Sequence, residues 1–163
     1  MKKFLISLAA ILALIPLNAF AFSEKQETVV SGECSTIRQT LQSVQKVDSK
    51  IRVHLGAYYE KVLNKYMIPL NSRLVENNIP NEELIKKQTT FNEKKKTFSD
   101  DYIEYQKNLE ELISVDCKNS PKDFLEKLPA TRELRKKVHD DIVSLKTLVD
   151  EYKESVRILM ESL

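Results

Sequence analysis

Cys34 and Cys117 are the only cysteines of the chain, and the second lies in the run VDCKNSPKDF at residues 115–124. Two thiols can form a disulfide, a redox couple or part of a metal site. No Cys-x-x-Cys spacing exists and no histidine is near either cysteine in sequence, which favours a simple bridge. The two histidines, His54 and His139, are the other residues able to ligate a metal, and Asp140 and Asp141 follow the second. Solvated positions on the flanks of helices account for both. His-Glu-x-x-His, Gly-x-Ser-x-Gly, a phosphate-cradling glycine loop and a calcium loop are all missing from the sequence. The reading assigns no catalytic residue, no metal and no cofactor, and the expectation is a protein that is not an enzyme.

The elements that carry these residues follow from the periodicity. The chain starts MKKFLISLAAILALIPLNAFA, with a basic start, an apolar run from Phe4 to Leu17 and small residues at Ala19 and Ala21. This is the pattern of a secretory signal peptide over residues 1–21, shorter than the roughly 20 apolar residues of a membrane span. Cleavage there implies an extracytoplasmic protein, periplasmic or secreted, that meets the membrane only through the uncleaved signal. The formal charge of +2 falls to zero when Lys2 and Lys3 leave, which argues against a nucleic-acid partner. Residues 22–33 have no sustained period and read as a flexible leader. Residues 34–163 read as one helical domain.

Within that domain, Val138, Ile142, Leu145, Val149, Tyr152, Val156, Leu159 and Leu163 alternate spacings of four and three, the seam of a helix packed on other helices. Leu84, Gln88, Phe91, Lys95, Phe98, Tyr102, Tyr105, Leu109 and Leu112 repeat the pattern. So do Ile37, Leu41, Val44, Asp48, Ile51, Leu55, Tyr58 and Val62, after which the spacing becomes four at Tyr66, Leu70 and Leu74. The expected fold is all-α: an elongated antiparallel three-helix bundle, up-down-up, with heptad packing. Pro69 is expected to bend the first helix, and Pro129 to separate a short extra helix at about 121–128 from the long last one.

Turn signals close the hairpin. Asn81 after Pro80 suits an N-cap, and Ser120 with Pro121 suits the start of the next helix. With the first turn near residues 76–80, antiparallel packing pairs residues whose numbers sum to about 150–156. Cys34 and Cys117 satisfy that condition and are expected to bridge the open end of the hairpin, in a compartment where disulfides persist.

Polar seam residues Asp48, Gln88 and Lys95 read as register-fixing positions. Charge is uneven along the hairpin: residues 60–98 hold eight basic and five acidic side chains, and residues 99–116 hold six acids and one lysine. The basic tip also carries surplus apolar residues. Ile68, Arg73, Val75, Ile79, Lys86 and Lys87 form the candidate protein-binding tip.

The stretch QTTFNEKKKTFSDDYIEYQKNLEELI, residues 88–113, resembles the helical arms of Skp-type periplasmic chaperones, which hold unfolded outer-membrane proteins. The chain departs from that family in showing no strands for a trimerising body and in carrying the cysteine pair. Two functions are expected on these grounds. The first is a non-enzymatic scaffold or interaction protein of the cell envelope, binding a protein partner or itself through helix faces or the tip. The alternative, which the resemblance also implies, is a holdase for unfolded envelope proteins.

Overall fold

The structure, a computed structural model, describes residues 23–162; the expected signal peptide and Leu163 lie outside them. Among the described residues every regular element is helical: α1 (Glu24–Gly32), α2 (Cys34–Lys61), a π-helical turn (Val62–Met67), α3 (Ile68–Glu76), α4 (Glu82–Ser114) and α5 (Pro121–Ser162). None is long and apolar enough to cross a membrane.

Residues expected as a leader are largely helical. Ser23 accepts a hydrogen bond from the Gln26 backbone N–H at 3.3 Å, and the Gln26 side chain accepts one from the Ser23 backbone N–H at 3.0 Å. This reciprocal cap starts α1. Val30 is buried, and the Ser31 hydroxyl donates to the Lys118 carbonyl at 2.7 Å. A helix of nine residues is marginal by itself, and it is these tertiary contacts that hold it.

α2 and α4 run antiparallel. Tyr102 meets Ser49, Tyr105 meets Asp48, Gln45 meets Glu110 and Lys95 pairs with Glu60. At the open end Cys34 and Cys117 are joined, with Cα atoms 5.4 Å apart. Closing a loop of 83 residues stabilises the fold by about 4–5 kcal/mol in the chain-entropy model. Around the bridge Val30, Leu112, Phe124 and Leu125 make a small core of their own.

The far turn is a Schellman motif. Asn78 has φ 55°, its N–H donates to the Val75 carbonyl, and the Ile79 N–H donates to the Leu74 carbonyl at 2.9 Å. Asparagine tolerates this left-handed conformation, and an apolar contact between the residues at C″ and C3 accompanies the motif. Leu74 belongs to the main core, and Ile79 packs against it. Asn81 occupies the N-cap position of α4 as expected, but its side chain donates to the Asn71 carbonyl at 3.1 Å instead of capping. At the other turn Asp116 accepts from Lys118 N–H, Asn119 N–H and the Asn119 side chain at 3.2, 3.3 and 2.7 Å, an Asx-type turn. Those bonds hold its carboxyl below the usual range.

Two proline expectations resolve differently. Before Pro69 the helix widens into the π-helical turn, whose exit is marked by the Ile68 N–H donating to the Leu63 carbonyl. The wider turn lets residues four apart stay on one face, so Tyr59, Leu63, Met67 and Asn71 are buried in sequence. Tyr58 and Tyr66, read as seam residues, are exposed instead. At Pro129 no break occurs: α5 continues from Pro121 to Ser162, and no separate short helix precedes it. Phe124 and Leu125 before the proline and Thr131 and Val138 after it are buried. Packing on both sides outweighs one lost backbone hydrogen bond.

The main core is built around α4. Phe91 and Phe98 flank the Tyr59 ring edge-on, with centroids 5.9 and 5.8 Å away. Leu84, Tyr102, Tyr105 and Leu109 continue the α4 stripe, and Val138, Leu145, Val149 and Tyr152 face it from α5. The α4–α5 interface also buries two carboxyls. Asp101 accepts from Lys137 at 2.8 Å, and one oxygen of Asp101 and one of Asp141 have no partner among the described residues. Burial, then the hydrogen bond and charge of Asp101, push the Asp141 carboxyl up to about 6.

Candidate functional site

α5 lies against α4, and α2 also lies against α4, but the backbones of α2 and α5 do not approach as closely. A cleft remains between the two outer helices, with α4 as part of its floor. Two separate grooves of different chemistry lie along it.

The half nearer the disulfide is a groove of about 450 Å³. Ile51 and Arg52 of α2 form one wall, Arg132, Lys136 and His139 of α5 the other, and Phe98, Tyr102 and Tyr105 of α4 lie beneath. Asp48 is its only carboxylate among the described residues. That carboxylate accepts from the Tyr105 hydroxyl at 2.7 Å and from Arg135 Nε and Nη2 at 2.8 and 3.1 Å. Burial first, then the Asp48 bond, raises the Tyr105 phenol, which stays protonated as a donor. Asp48 thus receives three donors, one from α4 and two from α5. Arg52 stands over the Tyr102 ring, 5.4 Å from its centroid. Among the described residues neither Arg52, Arg132 nor Lys136 lies within ion-pair distance of a carboxylate.

The half nearer the hairpin tip is a groove of about 380 Å³. Val62, Met67 and Leu70 line it from the first arm, and Val149, Tyr152 and Val156 line it from α5. Tyr58 and Tyr66 stand on its rim, 46% and 56% exposed. Its one deep polar atom is satisfied, since the Tyr152 hydroxyl donates to Asn71 Oδ1 at 2.9 Å. Asn71 in turn donates to Gln88 at 2.7 Å. Burial pushes the Tyr152 phenol up to about 12. The surface is apolar apart from Lys153 on its α5 wall, whose ammonium lies 3.4 Å from Asp150.

The tip residues separate. Ile68 and Val75 are exposed at 40% and 57%, as are Arg73 and Lys86. Ile79 is half-buried against the core, as the Schellman turn requires, so it is not part of an exposed patch. Lys87 is also half-buried, reaching Ser155 Oγ at 2.8 Å and Glu83 at 3.0 Å. His54 and His139 are exposed, and among the described residues no three possible metal ligands cluster. In the sequence the groove cations of α5 leave one signal: Arg132, Arg135, Lys136 and His139 repeat at helical spacing and mark one face of the helix. The heptad spacing points to the core for the rim tyrosines, and beside the π-helical turn they are exposed instead.

Comparison with protein-family models, with curated proteins and with solved structures gives no match.

Proposed function

We propose that this chain is a non-enzymatic interaction protein of the cell envelope, an up-down-up bundle of three long heptad-packed arms that seats a helix of a partner protein between its first and last arms. The observation that carries the reading is the tip-side groove, apolar on its floor and rimmed by two exposed tyrosines. Aromatic residues around a recessed apolar surface are the usual composition of a protein-binding site, and a groove between helices accepts the apolar face of an amphipathic helix. The disulfide is compatible with the extracytoplasmic setting. A photo-crosslinking residue at position 66 tests the idea. One defined protein adduct is expected in the native envelope, with none from the same residue at exposed position 107 on α4. No adduct at position 66, or the same adducts at both positions, overturns it.

A holdase is the second reading, supported by the same apolar groove, since unfolded chains offer apolar segments of many kinds. A holdase slows aggregation of unrelated unfolded proteins, and Tyr58→Ser with Tyr66→Ser weakens that effect. An interaction protein leaves such aggregation unchanged.

A further inference from the structure

The disulfide-side half of the cleft has a chemistry that the apolar groove does not explain. Four side chains carry positive charge there, Arg52, Arg132, Arg135 and Lys136, against the single carboxylate of Asp48. That carboxylate already has three donors, so its charge is directed inward. Two of the cations are held in place: Arg135 by Asp48, through Nε and one terminal nitrogen, and Arg52 by the face of Tyr102. A guanidinium fixed beforehand loses less side-chain freedom when it takes an anion. Arg132 and Lys136 stand one helical turn apart, the spacing at which acidic residues recur on one face of a helix.

We infer that this half of the cleft is a carboxylate-recognition site, and that its occupant is an acidic amphipathic helix of the partner protein whose apolar face continues into the tip-side groove. The inference rests on the functional reading above and adds the partner's chemistry and orientation. From Asp48 to Leu70 on one side and from Arg132 to Val156 on the other, the two grooves span about 35 Å end to end at 1.5 Å per residue, with residues 53–57 and 143–148 between them. A helix of about six turns fits that length. The asymmetry sets its direction, with carboxylates over Arg132 and Lys136 and apolar residues between Tyr58 and Val156. An anionic bilayer presents its headgroups on a flat surface, whereas these cations line the walls of a cleft over an aromatic floor.

Two labelled helical peptides with the same leucine face, one flanked by glutamates and one by lysines, are titrated into the oxidised full-length mature protein and followed by fluorescence anisotropy. The glutamate peptide is expected to bind at least ~10-fold more tightly at low salt. High salt should narrow the gap, and Arg132→Glu with Lys136→Glu should reverse it. Both residues are exposed, and circular dichroism checks that the variant keeps its helicity. Equal binding of both peptides, sensitive to Tyr66→Ser, overturns the carboxylate site and leaves the cleft as a protein-binding groove. Binding of neither peptide overturns both. A glutamate preference unchanged in the charge-reversed variant places the recognition elsewhere and overturns the inference. So does charge-dependent binding to equimolar phosphatidylglycerol–phosphatidylcholine vesicles without binding of the glutamate peptide, which assigns the site to lipid headgroups.

Discussion

Asp101 and Asp141 face each other across the α4–α5 interface, each with one oxygen lacking a donor among the described residues. Two buried carboxyls at close range cannot both ionise without repulsion, so one proton is retained above the ordinary carboxylate range. Lys137 and Lys94 oppose that effect without cancelling it. The folded pKa of Asp141 is raised from 3.8 to about 6, so between those values the folded chain binds more protons than the unfolded one. The stability this group contributes is full below about pH 4 and is lost as pH rises through about 6. Glu60, Glu83 and Glu154 have the opposite sign, because hydrogen bonds from Lys95, Lys87 and Arg157 lower them. Only a comparison with a variant isolates the pair. Asp141→Asn carries no charge, and its amide can donate to Asp101. Urea unfolding should find it more stable than the parent by about 1–2 kcal/mol at neutral pH, the gap closing toward about pH 4. A stability difference that does not change with pH rules out the shared proton.

At the level of the helices, α2 carries a glycine with no evident structural need for it. Gly56 has an ordinary negative φ, and a Cβ built there meets nothing within 4 Å. Gly56→Ala should therefore stabilise the fold by up to about 1 kcal/mol, raising Tm by a few degrees in a thermal melt. An unchanged or lower Tm means that Gly56 serves a purpose other than helix geometry. The long helices were legible in the sequence because a seam is a local repeat: Phe91, Phe98, Tyr105 and Leu112 are buried where the heptad put them. The cysteine pairing was legible for a related reason, since antiparallel arms fix which residue numbers meet. What was not legible depends on contacts distant in sequence. α1 is too short to announce itself and is held by Lys118. Pro129 is carried through a helix by packing on either side of it. The π-helical turn left only a trace, the spacing of four from Val62 to Leu74, which shifted the buried face from Tyr58 and Tyr66 to Tyr59 and Met67. The cleft and the carboxyl pair depend on how far apart whole helices lie, and a periodic pattern contains no such distance.

Across the whole molecule, the Cys34–Cys117 bridge has a mechanical consequence. It makes α2, the π-helical turn, α3 and α4 a closed ring, because all of them lie between the two cysteines. Tension applied at the two ends of the chain bypasses that ring. Under load the oxidised protein can pay out α1 and α5 but not the hairpin between them, so α5 is the one long helix that can be stripped from the assembly. Reduction opens the ring and releases 83 residues of hidden length, about 290 Å at ~3.5 Å per residue. Single-molecule extension with and without a reductant should show that difference, and equal contour lengths would mean the bridge is not closed in solution. The reach of the chain under load is thus set by the redox state of one bond.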